Sequence, residues 1–203
     1  LINVAHFIFL GDRKLPTLYR DCLQSFIRLH PSYTVNVWNY SDVEKILFEL
    51  ALYDVFSKQK TFINRYNLCK YAVLHKHGGW YIDLDIKWKL SLDDLVKDKF
   101  KESKTTPQLF IPVRSFPREK EIDYKRNDDM LLYSEKHLFL DLINYAFNRE
   151  DIDHTRKYEP FGPVSLSRWL NQVDYSREYL YEWEIQKNGH YCRHLGSEGW
   201  KFL

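Results

Sequence analysis

The sequence is poor in cysteine and carries almost no excess of charge of either sign. Its 203 residues include three cysteines, Cys22, Cys69 and Cys192, and none of them forms a C-x-x-C pair. Because the number is odd, we expect free thiols and a reducing compartment rather than a disulfide framework. The 30 basic and 28 acidic residues leave a net charge of +2, which argues against a dedicated nucleic-acid binder with a clustered basic face.

Long apolar runs are missing as well. No stretch approaches the roughly 20 residues that a membrane-spanning helix needs, and no signal peptide is visible. The first apolar run, residues 4–10, is interrupted by His6 and has the length of a strand. The chain begins at Leu1 rather than Met, so it can be one domain of a longer protein. Because a lumenal enzyme normally carries an anchor, we predict a cytoplasmic protein of a bacterium or of a virus in its host.

Aromatic residues, in contrast, are plentiful. The sequence is 44% hydrophobic, 29% charged and 17% aromatic, with 15 Tyr, 13 Phe and 6 Trp. This is the composition of a folded globular protein, and a chain of 203 residues is long enough for one domain with a proper core. We expect most rings in that core and a few as stacking platforms for bases or sugars.

Strand-like and helix-like segments alternate along the first half of the chain. Helical spacing with apolar periodicity marks one set of segments, and short apolar or alternating runs mark the other. This alternation predicts an α/β fold, with a mixed, mostly parallel sheet flanked by helices. The predicted strands are residues 2–10, 33–38, 80–84 (continued by 86–88) and 109–113, and the predicted helices are 16–29, a short one opened by a capping box at 41–44, 62–77, 135–148 and 163–170.

The sequence contains two D-x-D triplets, and their settings differ. Asp151-Ile152-Asp153 lies in a polar stretch with no strand before it and is best interpreted as a solvated loop. Asp83-Leu84-Asp85 follows a helix, a double glycine and a short strand. Ligands of open α/β sheets bind at the carboxyl ends of strands, and alternation along a strand would place Asp83 and Asp85 on one face. Two such carboxylates repel each other unless a cation lies between them.

Oxygen ligands of this kind suit Mg²⁺ or Mn²⁺, which also bind substrate phosphates. The alternative is that one aspartate caps a turn while the other faces solvent, and the spacing alone does not decide between the two.

A longer pattern surrounds the second triplet. Residues 67–85, NLCKYAVLHKHGGWYIDLD, resemble the signature S-D-x-x-R-Y-x-x-L-x-x-x-G-G-x-Y-x-D-x-D of the DXD sugar-binding glycosyltransferases. That family includes yeast-type α-1,6-mannosyltransferases, capsular sugar transferases and the clostridial glucosylating toxins. Three weaker likenesses occur in the family's order: residues 5–11 resemble I-H-x-x-W-x-G, residues 161–163 resemble T-G-P, and His194, Ser197 and Trp200 resemble H-x-x-x-x-S-W with Ser197 two residues early.

The resemblance implies a single GT-A-like nucleotide-sugar-binding domain over residues 1–203. Residues 1–113 would form the nucleotide-sugar-binding half, and residues 114–203 the acceptor-side half with a closing tail. The implied reaction moves a sugar from a UDP-sugar, such as UDP-glucose, to a hydroxyl of an oligosaccharide or glycoprotein glycan. The closest likeness is to retaining enzymes, which favours retention.

The resemblance also implies a metal site. Asp85 would contact Mn²⁺ or Mg²⁺ directly, Asp83 would hold ribose or sugar hydroxyls or reach the metal through water, and His194 would be a third ligand. Ser197 and Trp200 would cover the diphosphate.

Four further residues have implied roles. Phe9 stands where the family has a tryptophan stacked on uracil, although core packing is an equally good interpretation. Asn67 and Lys70 replace the family's aspartate and arginine, which hold the donor, so the donor sugar cannot be carried over from a relative. Asn127 lies where an asparagine often precedes the acceptor side, and Asp128, with Asp129 beside it, is a candidate base on a charged loop.

Two other classes of function compete with this one. A carbohydrate- or nucleotide-sugar-binding module could have kept the fold and lost turnover, and the changes at Asn67 and Lys70 leave that interpretation open. A metal-dependent phosphodiesterase or nuclease would need two metals about 4 Å apart, and so more ligands than Asp83, Asp85 and His194 supply.

Overall fold

The computed structural model describes residues 1–12, 14–101, 108–113, 131–148, 161–174, 176–181 and 189–196. Within these ranges the chain forms eight strands and seven helices. The strands are β1 Val4–Ile8, β2 Thr34–Trp38, β3 Gly79–Ile82, β4 Ile86–Trp88, β5 Leu109–Val113, β6 Leu131–Ser134, β7 Arg177–Tyr181 and β8 Cys192–His194; the helices are α1 Thr17–Leu29, α2 Tyr40–Glu49, α3 Tyr53–Lys58, α4 Phe62–His77, α5 Leu92–Phe100, α6 Phe139–Phe147 and α7 Pro163–Leu170.

Six strands form the main sheet, in the order β2-β1-β3-β6-β5-β7. β1 runs parallel to β2 and to β3, and β5 runs parallel to β7. β6 lies between β3 and β5 and is antiparallel to both. The predicted α/β class with a mixed, mostly parallel sheet is therefore confirmed.

Hydrophobic clusters cover both faces of this sheet. Alternation along β1 sends Ala5 and Phe7 into one cluster and Ile8 into the other. Helix α4 lies in the second cluster and packs against α2, α6 and β3. Every residue from Asn67 to His75 on α4 is buried, so this part of the helix is enclosed on all sides rather than along one stripe.

The double glycine between α4 and β3 is required by the backbone. Gly78 has φ 64° and Gly79 has φ 92°, values that side chains with a Cβ rarely adopt. A Cβ on Gly79 would also lie 2.5 Å from the carbonyl oxygen of Val4. The two glycines therefore end α4 as predicted and let β3 enter the sheet directly beside β1.

Several boundaries differ from the prediction for identifiable reasons. The capping box of α2 is formed by Asn39 and Asp42 instead of residues 41–44: the Asn39 side chain accepts a hydrogen bond from the Asp42 amide at 3.0 Å. α6 begins at Phe139 instead of 135, because His137 has φ 67° and donates its backbone amide to the carbonyl of His75. β6 had no predicted counterpart.

The largest difference concerns the segment after β3. Residues 86–88 do not continue β3, since the chain turns after Ile82 and these residues form β4, which pairs with β8 in a separate antiparallel sheet. The second sheet is thus built from the middle and the end of the chain. Of the helices in the described ranges, none is both long enough and apolar enough to cross a membrane.

Candidate metal and donor site

The D-x-D triplet lies in a turn at the carboxyl edge of the main sheet. β3 ends at Ile82, and the amide of Ile86 donates to the carbonyl of Asp83 at 3.3 Å as the chain enters β4. The expectation that strand alternation aligns Asp83 and Asp85 is therefore wrong. The turn itself brings the carboxylates together, and the predicted position at the end of a strand is correct.

β8 brings His194 to the same place. In the β4–β8 ladder His194 is the partner of Ile86, and the amide of Leu195 donates to the carbonyl of Asp85 at 2.9 Å. The His194 Nε2 atom lies 3.1 Å from Oδ1 of Asp85. One ligand atom from each of Asp83, Asp85 and His194 lies within 4.8 Å of the others. Two carboxylate oxygens and one imidazole nitrogen at this separation fit the binding of one divalent cation.

Tyr81 supports the Asp83 carboxylate from within the sheet. Its hydroxyl donates a hydrogen bond to Oδ1 of Asp83 and lies 3.0 Å from the hydroxyl of Tyr66 on α4. The Lys70 ammonium lies 4.7 Å from the centre of the Tyr81 ring, and both Lys70 and Tyr81 are almost completely buried. Tyr81 was expected in the core, and it also contacts the candidate site directly.

The charges around Asp83 explain how a cation would act there. Burial is the main reason that the pKa of the Asp83 carboxyl is raised from 3.8 to about 7, and the neighbouring Asp85 carboxylate acts in the same direction. The Lys70 ammonium acts against this rise. A divalent cation between the two carboxylates would favour their ionised forms, because it offsets both burial and mutual repulsion.

Asn67 and Lys70 lie on α4 behind the triplet. Asn67 is 2% exposed, and its Nδ2 donates to the carbonyl of Phe161 at 3.1 Å. This bond ties α4 to Phe161-Gly162-Pro163, the segment that leads into α7. Lys70, also 2% exposed, stands over Tyr81. In this structure both residues contact protein groups, and their predicted contacts with the donor stay predictions.

Phe9 follows β1 at the same edge of the sheet. It is 9% exposed, belongs to a core cluster and presents its ring to that of the half-buried Tyr19 on α1, with 6.3 Å between ring centroids. Core packing is thus observed, and stacking on a base stays a prediction. His6, which interrupts the first apolar run, is fully buried and bonded to Gly78 and Trp38.

The remaining predicted site residues are Asn127, Asp128, Ser197 and Trp200, and they lie outside the described residues. The second triplet, residues 151–153, also lies outside them. The sequence interpretation missed Tyr66, which stands at the serine of the S-D-x-x-R-Y signature. The tyrosine in place of that serine was the sequence feature that could have drawn attention to this position.

Comparison with known proteins finds similarity to glycosyltransferases. A family model described as "Glycosyltransferase sugar-binding region containing DXD motif" matches residues 16–101. The chain is 24% identical over 98 residues to the uncharacterized glycosyltransferase L373 of Acanthamoeba polyphaga mimivirus, a match that covers 46% of this chain and 39% of that protein. It is 26% identical over 156 residues to inositol phosphoceramide mannosyltransferase 3 of Schizosaccharomyces pombe, covering 67% of this chain and 43% of that protein. The chain therefore spans less than half the length of these curated relatives.

Solved structures show the same fold at low sequence identity. The PaToxG glycosyltransferase superposes with a TM-score of 0.58 at 13% identity, covering 84% of this chain and 69% of that one. Mouse xyloside xylosyltransferase 1 in its apo form gives a TM-score of 0.57 at 10% identity, covering 98% of this chain and 99% of that one. The chain thus shares its fold with these two glycosyltransferases.

Proposed function

Because residues 16–101 of this chain match the model of the glycosyltransferase family with a DXD-containing sugar-binding region, we propose that it transfers a sugar from a UDP-sugar to a glycan hydroxyl. UDP-glucose is the first donor to test, and an oligosaccharide or a glycoprotein glycan is the proposed acceptor. The observation that carries this proposal is the convergence of Asp83, Asp85 and His194 at the carboxyl edge of the sheet, with ligand atoms within 4.8 Å of one another.

The proposed cofactor is Mn²⁺ or Mg²⁺. Asp85 is the proposed direct ligand, His194 the third ligand, and Asp83 either a ligand through water or a partner of the ribose or sugar hydroxyls. A cation bound there would neutralise charge that develops on the leaving diphosphate. The protein's own contribution is to hold the two carboxylates close together and largely shielded from water, since the side chain of Asp85 is only 12% exposed.

The proposed roles differ between the first and the second half of the chain. Residues 1–113 provide most of the donor site, with Phe9 next to the base and Asn67 and Lys70 behind the diphosphate. Residues 114–203 provide the acceptor side and the closing tail, with Asn127 and Asp128 facing the acceptor and Ser197 and Trp200 over the diphosphate. His194 is the exception, because β8 returns it to the donor half. Retention of anomeric configuration is proposed from the family resemblance alone.

Metal-dependent donor binding tests this proposal. UDP- and GDP-sugars are screened for thermal stabilisation with and without Mn²⁺; GDP-mannose is included because one relative is named a mannosyltransferase. A ligand at 100 times its dissociation constant adds about 2.7 kcal/mol to the free energy of unfolding. The Asp85→Ala variant is expected to lose binding of the stabilising nucleotide sugar in calorimetry with Mn²⁺. The surface variant Asp54→Ala, on α3, should retain it.

Unchanged affinity in the Asp85→Ala variant would refute the assignment of the metal site. Stabilisation by a nucleotide sugar that is equally large without Mn²⁺ would refute metal dependence while leaving the donor assignment standing.

A binding module without turnover is the second candidate function. It is favoured by the contacts of Asn67 and Lys70, whose polar groups meet protein partners in the interior at 2% exposure each. The two functions differ in one product, since an enzyme slowly hydrolyses its donor when no acceptor is present. Release of UDP from the stabilising UDP-sugar in Mn²⁺ supports the enzyme, and binding without any release supports the module.

A further inference from the structure

Tyr66 links two parts of the candidate site that are distant in sequence. It lies on α4, and its hydroxyl is 3.0 Å from the carbonyl oxygen of Ile8, the last residue of β1. The same hydroxyl is 3.0 Å from the hydroxyl of Tyr81 on β3. Tyr81 in turn donates to Oδ1 of Asp83. Four oxygens thus lie in a row, each within hydrogen-bonding distance of the next, from the end of β1 to the first aspartate of the triplet.

This path lies where the main sheet opens. β1 pairs with β2 as far as Ile8, opposite Trp38, but its last partner on β3 is Tyr81, opposite His6. The Ile8 carbonyl therefore lies beyond the β1–β3 ladder, and Tyr66 donates to it from the neighbouring helix. A buried carbonyl without such a donor would be costly, so the tyrosine hydroxyl stabilises the opened edge of the sheet.

The chemistry of the four groups determines which of them donate and which accept. The Ile8 carbonyl only accepts, and the ionised Asp83 carboxylate only accepts. The two phenol hydroxyls therefore supply two protons for three contacts. That of Tyr81 goes to Asp83, and that of Tyr66 is shared between the Ile8 carbonyl and the Tyr81 oxygen.

Ring packing fixes the two phenols against each other. The rings of Tyr66 and Tyr81 meet edge to face, with centroids 6.5 Å apart and an interplanar angle of 76°, a preferred geometry for an aromatic pair. The Lys70 ammonium lies over the Tyr81 ring at 4.7 Å. Tyr81 is fully buried, so little freedom remains to its hydroxyl once Tyr66 is in place.

We propose that Tyr66 is a positioning residue of the donor site, acting through Tyr81 to hold the Asp83 carboxylate in the orientation that the metal and donor require. It fixes one carboxylate oxygen and leaves the other for the ligand, and it ties this carboxylate to the end of β1, directly before Phe9. This inference rests on the proposed function. It is particular to this chain, because the serine of the family signature at this position could not reach both Ile8 and Tyr81.

The test measures Mn²⁺ binding by electron paramagnetic resonance, without nucleotide or turnover. Outer-shell partners of metal ligands typically change metal affinity 10–100-fold when removed. We expect Tyr66→Phe to weaken Mn²⁺ binding about 10-fold and Tyr81→Phe to weaken it at least as much. The double variant should bind Mn²⁺ no more weakly than Tyr81→Phe alone, because Tyr66 has no path to Asp83 once the Tyr81 hydroxyl is gone.

The matched control is Tyr53→Phe on α3, whose ring stacks on Phe48 and whose Mn²⁺ affinity should equal that of the wild type. Each variant is measured at a temperature at which circular dichroism shows it folded, so a loss of stability alone does not count as a loss of binding. Tyr66→Phe with wild-type Mn²⁺ affinity overturns the Tyr66 proposal while leaving the proposed metal site intact. Additive losses in the double variant overturn the path through Tyr81. A wild-type protein that binds no Mn²⁺ overturns both this inference and the metal-dependent function.

Discussion

The two segments that supply the candidate ligands are held to the fold in different ways. Asp83 and Asp85 follow β3, whose four residues are all buried between β1 and β6. His194 lies on β8, whose partner strand within the described residues is β4, in a ladder of three residue pairs. A two-stranded ladder of this length is marginally stable without outside support. The carboxylates therefore follow a central strand of the main sheet, whereas the histidine lies on a short ladder outside that sheet.

β8 is supported by hydrogen bonds and by core packing. The backbone amide of Lys89 donates to the carbonyl of Tyr191 at 2.8 Å, and the Lys89 ammonium donates to the carbonyl of Gly189 at 2.7 Å. The Tyr191 hydroxyl donates to Asp98 on α5. Tyr191 and Cys192 are buried in the same hydrophobic cluster as Ile86 and Trp88 of β4. The second sheet is thus held to the main fold chiefly through this cluster.

The largest expected effect comes from a matched pair of glycine substitutions in the two segments. Gly79→Ala should lower the free energy of unfolding by about 4 kcal/mol, because φ is 92° and the new Cβ would lie 2.5 Å from the carbonyl oxygen of Val4. Gly196, after β8, has φ 59°, and among the described residues no atom beyond its chain neighbours lies within 4 Å of a Cβ added there by Gly196→Ala. Gly196→Ala should lower the free energy of unfolding by about 1 kcal/mol. Urea unfolding measures both, and equal losses would contradict the contrast between a packed and an open segment.

The second-largest expected effect is a loss of folding stability at acid pH, caused by His6 in the main sheet. His6 donates from Nε2 to the Gly78 carbonyl at 2.8 Å and accepts at Nδ1 from Trp38 at 3.0 Å, so both ring nitrogens are satisfied only in the neutral form. Burial lowers the pKa of His6 from 6.5 to about 4. The unfolded chain therefore binds this proton first, and the stability present above about pH 6.5 is lost as the pH falls to about 4. That difference in pKa corresponds to about 3 kcal/mol.

Unfolding free energies measured between pH 7.5 and pH 4 check this prediction. His6→Gln should be less stable than the wild type at neutral pH but should lose less stability on acidification, because it carries no titrating ring. The exposed His190→Gln, just before β8, is the control and should keep the wild-type pH dependence. A His6→Gln variant with the full wild-type loss would show that other groups carry the acid sensitivity; His30, whose pKa burial also lowers, would be the next to replace.

Local sequence signals predicted α4, β5 and the end of β3 well, but not β6, β7 or the pairing of the second sheet. The bounds of α4 and β5 agree with the prediction, since Thr61 caps α4, Gly78 ends it, and β5 is an uninterrupted apolar run. The triplet was correctly placed at the end of a strand because its context is contiguous in sequence. β4 and β8 were not paired in advance, because their ladder depends on contacts between residues about a hundred positions apart, which no local period encodes.

The residues of the candidate site could likewise be predicted from the sequence only in part. Asp83 and Asp85 could be proposed from the helix, double glycine and strand that precede them, and His194 only from a family resemblance. The path through Tyr66 depends on how α4 packs against the open edge between β1 and β3, and that packing follows from the fold rather than from any motif. The contacts of Asn67 with Phe161 arise in the same way.

The smallest expected effect tests the histidine itself. His194→Ala should weaken Mn²⁺ binding about 10-fold without abolishing it, because the two carboxylates stay in place on the core while one nitrogen ligand is lost. Electron paramagnetic resonance titrations measure the affinity, and His190→Ala, four residues earlier in the same segment, is the matched control. A loss as complete as that expected for Asp85→Ala would mean that the three ligands form one indivisible site and that β8 is as integral to it as β3. An unchanged affinity would remove His194 from the ligand set and leave it as an ion-pair partner of Asp85 at 3.1 Å.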